Sequence, residues 1–211
     1  MRYKWLSKTS SNNVIIFFNG WGMDENVVRH LDREGYDVLM FYDYNTLDTD
    51  FDFDLLNVYS KINIVAWSMG VMVATLISPL ARYLESLSYD GLIVAINGTL
   101  KPINEEFGIH PKIYDLTIKG FNEKGRDKFI KSMFEEDAEI ACFRDLNEQQ
   151  SELVALKKYC SNEKFEYNKI LISDNDRIIP TKSQVAFWGI EPNLKGGHCP
   201  FLQFKKWGEL L

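Results

Sequence analysis

The sequence predicts an α/β fold with a mostly parallel sheet, and three observations support this prediction. Short apolar runs alternate along the chain with longer stretches that fit helices. The runs are continuously apolar, as is typical of parallel strands buried on both faces. Two of them end in Asn-Gly, which marks a turn at the end of a strand. The five predicted strands are Val14–Phe18, Asp37–Tyr42, Ile62–Ala66, Leu92–Ile96 and Lys169–Ser173.

The predicted helices lie between these strands, so they are expected to cover both faces of the sheet through right-handed crossovers. They are Asp24–Glu34, Asp54–Ser60, Met69–Leu80 and Lys182–Trp188.

Residues 101–168 break this alternation because they contain no convincing buried strand. They carry helix-like pieces at Glu123–Phe134 and Asn147–Tyr159, and the segment is too long for a loop in a compact domain. We therefore expect an α/β core formed by residues 1–100 and 169–211, with a helical lid inserted at 101–168. An insertion after the carboxyl end of a strand lies where open α/β sheets bind ligands.

The composition indicates a single globular domain, since the chain has 211 residues and 45% of them are hydrophobic. Its formal net charge of -6 is unfavourable for nonspecific binding to nucleic acid, so no nucleic-acid partner is expected. The three cysteines, Cys142, Cys160 and Cys199, are odd in number and lack CxxC spacing. They indicate a reducing compartment rather than a disulfide scaffold or a zinc ribbon. The first residues lack the apolar stretch of a secretory signal, so we expect a cytoplasmic protein.

Two further patterns are better explained by ordinary structure. The uncharged run 62–81 is long enough for a membrane span, but Asn63, Gly70 and Pro79 interrupt it. It predicts a buried strand followed by a buried helix, and no membrane association. The alternating acidic residues at 48–54 have Phe53 and Tyr59 where a calcium loop needs Gly and Glu. They predict a solvated turn that caps the next helix, and no metal site.

The segment Ala66–Gly70 (AWSMG) is the strongest chemical signal in the chain. It follows an apolar strand and precedes an apolar helix pattern, as a nucleophile elbow requires. The turn at Ser68 is so sharp that the residues two before and two after it must be small, and Ala66 and Gly70 meet this need. The hydroxyl of Ser68 would then lie above the sheet at a helix amino terminus, where developing negative charge is stabilised. An ordinary serine in a strand–helix turn is the alternative.

An aspartate and a histidine follow in the order expected for a Ser–Asp–His set. Asp174 and Asp176 come just after the last predicted strand, and His198 follows two glycines near the end of the sequence. Either aspartate could orient the histidine. Of the other histidines, His30 lies in a predicted surface helix and His110 lies in the insertion.

The segment Phe18–Asp24 (FNGWGMD) follows the first long apolar strand and predicts an oxyanion loop. We assign the two N–H donors to the backbone amides of Trp21 and Met69. A plain turn is the competing interpretation of this loop.

Together, FNGWGMD, AWSMG, DNDRIIP and GGHCPF resemble an α/β-hydrolase over nearly the whole chain. The chain resembles in particular the compact pimeloyl-acyl-carrier-protein methyl ester esterases of biotin synthesis, the BioG type. The resemblance implies a serine carboxylesterase that frees the pimeloyl carboxylate. By the family pattern, Ser68 is the nucleophile, His198 the base, and Asp176 the orienting carboxylate, because Asp176 has the family's D-x-x-x-P spacing to Pro180.

The resemblance also implies a substrate site and a partner. Trp21 and Trp67 are expected to line the acyl pocket, although either could simply belong to the core. The partner would be an acyl carrier protein whose phosphopantetheine arm bears an acyl methyl ester, and the reaction would need no metal or dissociable cofactor. A basic cluster in the predicted lid could dock this acidic partner, or it could be a solvated helix face. Its six members are Lys112, Lys119, Lys124, Arg126, Lys128 and Lys131.

Three other functions compatible with the sequence are a thioesterase, a general short-chain acyl esterase and a catalytically silent binding module. A thioesterase would use the same residues on a different carbonyl. Labelling of Ser68 by a fluorophosphonate would separate the enzymes from the silent module.

Overall fold

The computed structural model describes residues 1–78, 80, 91–134, 142, 144–161 and 165–211. Six strands form one sheet in these residues: β1 Arg2–Ser7, β2 Asn13–Phe18, β3 Asp37–Tyr42, β4 Lys61–Trp67, β5 Ile93–Ile96 and β6 Lys169–Leu171. Their order in the sheet is β1-β3-β2-β4-β5-β6, and every neighbouring pair except β1 and β3 is parallel. All five predicted strands are therefore present, and the mostly parallel sheet is confirmed.

The apolar strands are buried on both faces, as their continuous hydrophobicity predicts. In β2, Val14, Ile16 and Phe18 belong to one core cluster, whereas Ile15 and Phe17 belong to the other. All five side chains are fully buried. Since successive side chains of a strand point to opposite faces, a central strand needs an apolar residue at every position.

The antiparallel edge strand β1 is absent from the sequence predictions. From Arg2 to Trp5 its residues alternate between exposed and half-buried, because one face of the strand is turned away from the core. Its apolar residues are too few to make the continuous run by which the other strands were found.

Five helices lie in the described residues: α1 Met69–Ala74, α2 Pro111–Gly120, α3 Glu123–Ser132, α4 Leu146–Leu156 and α5 Thr181–Trp188. Residues of α1, α2, α4 and α5 pack into the core on one face of the sheet. The core on the other face includes residues of three short 3₁₀ helices, Glu25–Val27, Phe201–Gln203 and Trp207–Leu210.

The prediction of a helix at Asp24–Glu34 is wrong, since only a single 3₁₀ turn forms there, at Glu25–Val27. The backbone of this segment binds the end of the chain instead of continuing as a helix. The Asp32 amide donates to the Lys205 carbonyl at 2.8 Å, and the Trp207 amide donates to the Asp32 carbonyl at 2.9 Å. Tertiary hydrogen bonds thus override the helical periodicity.

The uncharged run 62–81 begins as β4 and continues into α1, as predicted, although the helix ends at Ala74 and part of the run lies outside the described residues. The predicted helix Asp54–Ser60 is a 3₁₀ helix, Phe53–Val58, which Asp52 caps through the Asp54 amide. Among the described residues, no helix has the length and apolar character needed to cross a membrane.

Three helices, α2, α3 and α4, lie between β5 and β6 in the sequence, although these two strands are neighbours in the sheet. Two of them, α3 and α4, correspond to the helix-like pieces predicted at Glu123–Phe134 and Asn147–Tyr159. The third, α2, was not predicted. It begins at Pro111, and the side chain of His110 caps it by accepting from the Lys112 amide.

Candidate active site

Ser68 lies in the single-residue turn between β4 and α1, with φ 58 and ψ −125. This left-handed conformation is strained for any residue other than glycine and occurs mainly at functional sites. The turn is tight: a Cβ on Gly70 would lie 2.4 Å from the Phe18 carbonyl oxygen, and a Cβ on Gly98 would lie 2.5 Å from the Ser68 carbonyl oxygen. Ala66 is fully buried and accommodated in β4.

Hydrogen bonds connect the side chains of Ser68, His198 and Asp176 in a series. The His198 Nε2 atom lies 2.8 Å from the Ser68 Oγ atom, and the Nδ1 atom lies 2.8 Å from an Asp176 carboxylate oxygen. Because an ionised carboxylate only accepts, Nδ1 of the neutral imidazole carries the proton and Nε2 accepts from the Ser68 hydroxyl. Each of the three residues is at least 95% buried. The arrangement can remove a proton from a serine hydroxyl and return it to a leaving group.

Four donors hold the Asp176 carboxylate in place. One oxygen accepts from the amides of Ile178 and Ile179 at 2.8 and 3.1 Å. The other accepts from Nε2 of Gln184 at 2.8 Å and from His198. The sequence offered no signal for Gln184, because its contact depends on how α5 packs.

Asp174, the other aspartate that could orient the histidine, lies outside this hydrogen-bonded series. Its carboxylate accepts from the Lys195 ammonium at 2.7 Å and from the Gly196 amide at 2.9 Å. The hydrogen bond from Lys195, with that from Gly196, lowers the pKa of Asp174. Asp174 therefore fixes the glycine loop before the histidine, whereas Asp176 contacts the imidazole.

The backbone of His198 is bound from two strand ends. Its carbonyl oxygen accepts from the Trp67 indole at 2.8 Å and from the Asn97 side-chain amide at 2.9 Å. Asn97 has φ 45 and follows β5 directly, within the second Asn-Gly turn of the sequence. The sequence marked this turn but did not reveal its role, since the partner of Asn97 is distant along the chain.

The loop after β2 approaches Ser68 closely. A Cβ on Gly20 would lie 2.9 Å from the Trp67 ring and 3.3 Å from the Ser68 Cβ, so this position requires glycine. Within the described part of the chain, neither the Trp21 amide nor the Met69 amide donates to a protein acceptor. Trp21 and Met69 both line the cavity beside Ser68.

An apolar cleft opens beside Ser68 and His198, between the sheet edge and the helices α2, α3 and α4. Trp21 and Trp67 both line it. The helices contribute Ile113, Tyr114, Thr117, Phe129 and Leu153, and the loop after β6 contributes Arg177 and Ile178. Such a surface suits an extended acyl chain better than a sugar or a nucleotide.

A sequence model of the family described as pimeloyl-ACP methyl esterase BioG matches residues 1–210. The chain belongs to the BioG family. It is therefore a carboxylic ester hydrolase at the level of the family, and its α/β-hydrolase fold is confirmed by solved structures. The crystal structure of selenomethionine BioG from Haemophilus influenzae has a TM-score of 0.85 and 28% identity, and the match covers 100% of this chain and 99% of that one. A hydrolase from Oleispira antarctica has a TM-score of 0.63 and 11% identity over 95% of this chain and 89% of that one, which shows the fold alone.

Two curated relatives are similar to this BioG-family chain. An uncharacterised protein from Haemophilus influenzae is 31% identical over 211 residues, with 94% of each chain covered. A protein from Bacteroides fragilis named malonyl-[acyl-carrier protein] O-methyltransferase is 38% identical over 183 residues. That match covers 82% of this chain but only 36% of the relative, so the chain spans about a third of that relative's length.

The basic cluster of this BioG-family chain lies on α2 and α3. Its lysines are exposed, whereas Arg126 is half-buried, with its Nε atom 3.9 Å from Asp127. Lys112 and Lys119 share one face of α2 with Leu116, which is 62% exposed. Lys124, Lys128 and Lys131 follow the same i, i+4, i+7 spacing on α3.

Proposed function

We propose that the protein is a serine esterase that hydrolyses the methyl ester of pimeloyl-acyl carrier protein. The observation that carries this proposal is the buried chain from Ser68 through His198 to Asp176, with both links at 2.8 Å. Membership of the BioG family supports the substrate.

In the proposed mechanism, the Ser68 hydroxyl attacks the ester carbonyl while His198 takes its proton at Nε2. The tetrahedral intermediate collapses when the imidazolium returns this proton to the departing methoxide, which leaves as methanol. A water molecule then repeats the attack on the acyl-enzyme and frees the carboxylate. Asp176 keeps Nδ1 protonated and stabilises the positive imidazolium.

We assign the oxyanion contacts to the amides of Trp21 and Met69. Their lack of a protein acceptor within the described residues, and their place beside Ser68, support this assignment. The Met69 amide also lies at the first turn of α1, where unpaired N–H groups favour a negative charge.

The apolar cleft supports an acyl substrate of this kind. We assign its walls, including Trp21 and Trp67, to the methylene chain, and its opening to the phosphopantetheine arm of the carrier. Residues 101–168 act as the lid over a core of residues 1–100 and 169–211 in this proposal. The contribution of α2, α3 and α4 to the cleft supports this division.

The name of the Bacteroides fragilis relative supports a carrier-bound methyl ester. A malonyl-[acyl-carrier protein] O-methyltransferase forms such an ester, and part of that protein is similar to this chain. An esterase that removes the methyl group has a place in the same sequence of reactions. The carrier protein is the proposed partner, and the basic cluster on α2 and α3 is its proposed docking surface.

The test is mass spectrometry of pimeloyl-carrier methyl ester after incubation with the enzyme. We expect the acyl chain to lose the mass of one CH₂ group while the thioester stays intact, and Ser68→Ala to abolish this loss. A product with bare phosphopantetheine would make the protein a thioesterase. No turnover by the wild type, combined with no labelling of Ser68 by a fluorophosphonate, would identify a silent binding module.

A further inference from the structure

The loop that carries the Trp21 amide is bound by two buried polar residues of α4. Gln149 is 1% exposed and Glu152 is fully buried. Neither side chain touches Ser68, His198 or Asp176, and the mechanism proposed above does not use them. Buried polar groups are costly unless they make hydrogen bonds, so their partners indicate their role.

Their shared partner is Gly22, directly after Trp21, which they bind through its carbonyl group and its amide. The Gln149 side-chain amide donates to the Gly22 carbonyl oxygen at 2.7 Å, and the Gly22 amide donates to a Glu152 carboxylate oxygen at 3.3 Å. The Trp21 indole donates to the Gln149 backbone carbonyl at 2.8 Å. The loop is thus bound to α4 on the carboxyl side of the Trp21 amide.

Gly22 fits this contact in two ways. Its φ of 72 is unfavourable for a side chain, and a Cβ there would lie 3.3 Å from the Gln149 Nε2 atom. A larger residue would therefore both strain the loop and press against Gln149.

Glu152 is itself fixed by charge and hydrogen bonds. The Arg144 guanidinium lies 2.5 Å from one carboxylate oxygen, and the Tyr44 amide donates to the other at 2.9 Å. A second nitrogen of Arg144 lies 3.1 Å from an Asp43 carboxylate oxygen. Removing one member of such a buried set leaves the others without a partner.

We infer that Gln149 and Glu152 are positioning residues that aim the Trp21 amide at the developing oxyanion. This inference rests on the proposed function, because it needs a tetrahedral intermediate at Ser68. It gives the inserted segment a part in the chemical step, in addition to enclosing the acyl chain.

The test compares Gln149→Met with Gln150→Met, using a small soluble ester that needs no carrier. Gln150 lies on the same helix but donates to the Ile118 carbonyl in α2, at 2.9 Å, so it is the matched control. Loss of an oxyanion donor costs ~10²–10³ in rate. A misaimed donor costs less, so we expect kcat to fall by about 10- to 100-fold in Gln149→Met, with KM nearly unchanged. Gln150→Met should keep the wild-type kcat.

A second measurement separates positioning from loss of structure. A trifluoromethyl ketone forms an oxyanion adduct with a reactive serine, whereas the matching methyl ketone binds mainly as a ground-state ligand. We expect Gln149→Met to weaken the first compound about 10-fold or more and the second hardly at all. Glu152→Gln keeps the side-chain shape and should give the same selective loss if Gln149→Met fails to fold.

Unchanged kcat in Gln149→Met or in a folded Glu152→Gln, or equal weakening of both ketones, overturns the inference. Equal losses of kcat in Gln149→Met and Gln150→Met overturn it too, because a general structural effect would then suffice. The activities of the wild type and of Ser68→Ala distinguish a failure of the proposed function from a failure of this inference. An inert wild type overturns both ideas, whereas an active wild type with a fully active Gln149→Met overturns only this one.

Discussion

At the scale of single residues, the strained backbone of Ser68 is the clearest link between sequence and chemistry. Ser68 has a positive φ between a strand and a helix, and this conformation places its hydroxyl at the carboxyl ends of the strands. Gly70 and Gly98 allow neighbouring backbone to approach this turn closely. The small residues of AWSMG predicted this turn, since any side chain at 70 would meet the backbone of the neighbouring loop.

The strain at Ser68 predicts a difference in stability between two substitutions of this residue. Ser68→Gly removes the steric conflict at φ 58, whereas Ser68→Ala keeps it, so the glycine variant should be more stable by about 1–3 kcal/mol. Urea unfolding monitored by tryptophan fluorescence measures the difference. A glycine variant that is less stable than the alanine variant would show that the turn stores no strain.

The three residues proposed to be catalytic could be found from the sequence because each lies at a marked position. Ser68 and Asp176 each follow a strand, and His198 follows a pair of glycines. Hydrogen bonds join the three side chains in the structure. Gln184 and Gln149 could not be found in this way. Each binds through a side chain on a helix whose packing angle no local pattern specifies.

At the scale of elements, Asp37 shows how one carboxylate joins three segments. It begins β3, accepts from the Thr9 amide and hydroxyl at 2.6 and 3.0 Å, and accepts from the Tyr59 hydroxyl at 2.8 Å. Burial acts to raise the pKa of Asp37, but the hydrogen bonds from Thr9 and Tyr59 outweigh it. The pKa therefore lies below the ordinary value of 3.8.

This lowered pKa predicts how Asp37→Asn changes acid stability. The Asp37 contribution is fully present above pH 3.8 and is lost as pH falls through the lower pKa of the folded state. We expect Asp37→Asn to cost about 1–3 kcal/mol near neutral pH, because an amide replaces an acceptor-only group facing three donors. The cost should shrink as pH falls below 3.8. Denaturant unfolding at several pH values measures this, and a constant cost at every pH would contradict the assignment.

The helix that the sequence predicts wrongly and the strand that it fails to predict have the same physical explanation. Asp24–Glu34 has helical periodicity, but its carbonyl and amide groups bind the last residues of the chain instead. The edge strand β1 has too few apolar residues for a continuous run, because half of its surface faces away from the core. Both outcomes depend on distant partners, whereas central strands such as β2 are specified by their own composition.

At the scale of the whole molecule, the charge is unevenly distributed. The chain has a formal net charge of -6, yet α2 and α3 carry six exposed or half-buried basic residues. Other residues of the same two helices line the cleft. Leu116 adds an exposed apolar residue on the same face of α2 as Lys112 and Lys119. A surface of this kind suits an acidic partner that also offers an apolar contact.

Charge reversal tests this docking surface. Arg126→Glu combined with Lys128→Glu should raise KM for the carrier-bound ester several-fold and leave hydrolysis of a small free ester unchanged, because only the carrier meets the surface. The effect should weaken as salt screens the charges. The matched control is Lys182→Glu with Lys205→Glu, which makes the same charge change at exposed positions outside the cleft. Equal effects of the two double variants, or equal losses on both substrates, would exclude docking at this surface.

The anchoring of the His198 carbonyl by Trp67 and Asn97 has a consequence for turnover. Two strand ends hold the backbone from which the imidazole projects, and Asp176 holds the ring itself. The freedom of this ring is therefore given up once, when the chain folds, and not again with each new substrate molecule. In the proposed mechanism, entry of the acyl chain and departure of the free acid would then limit turnover, rather than a rearrangement of the imidazole toward Ser68.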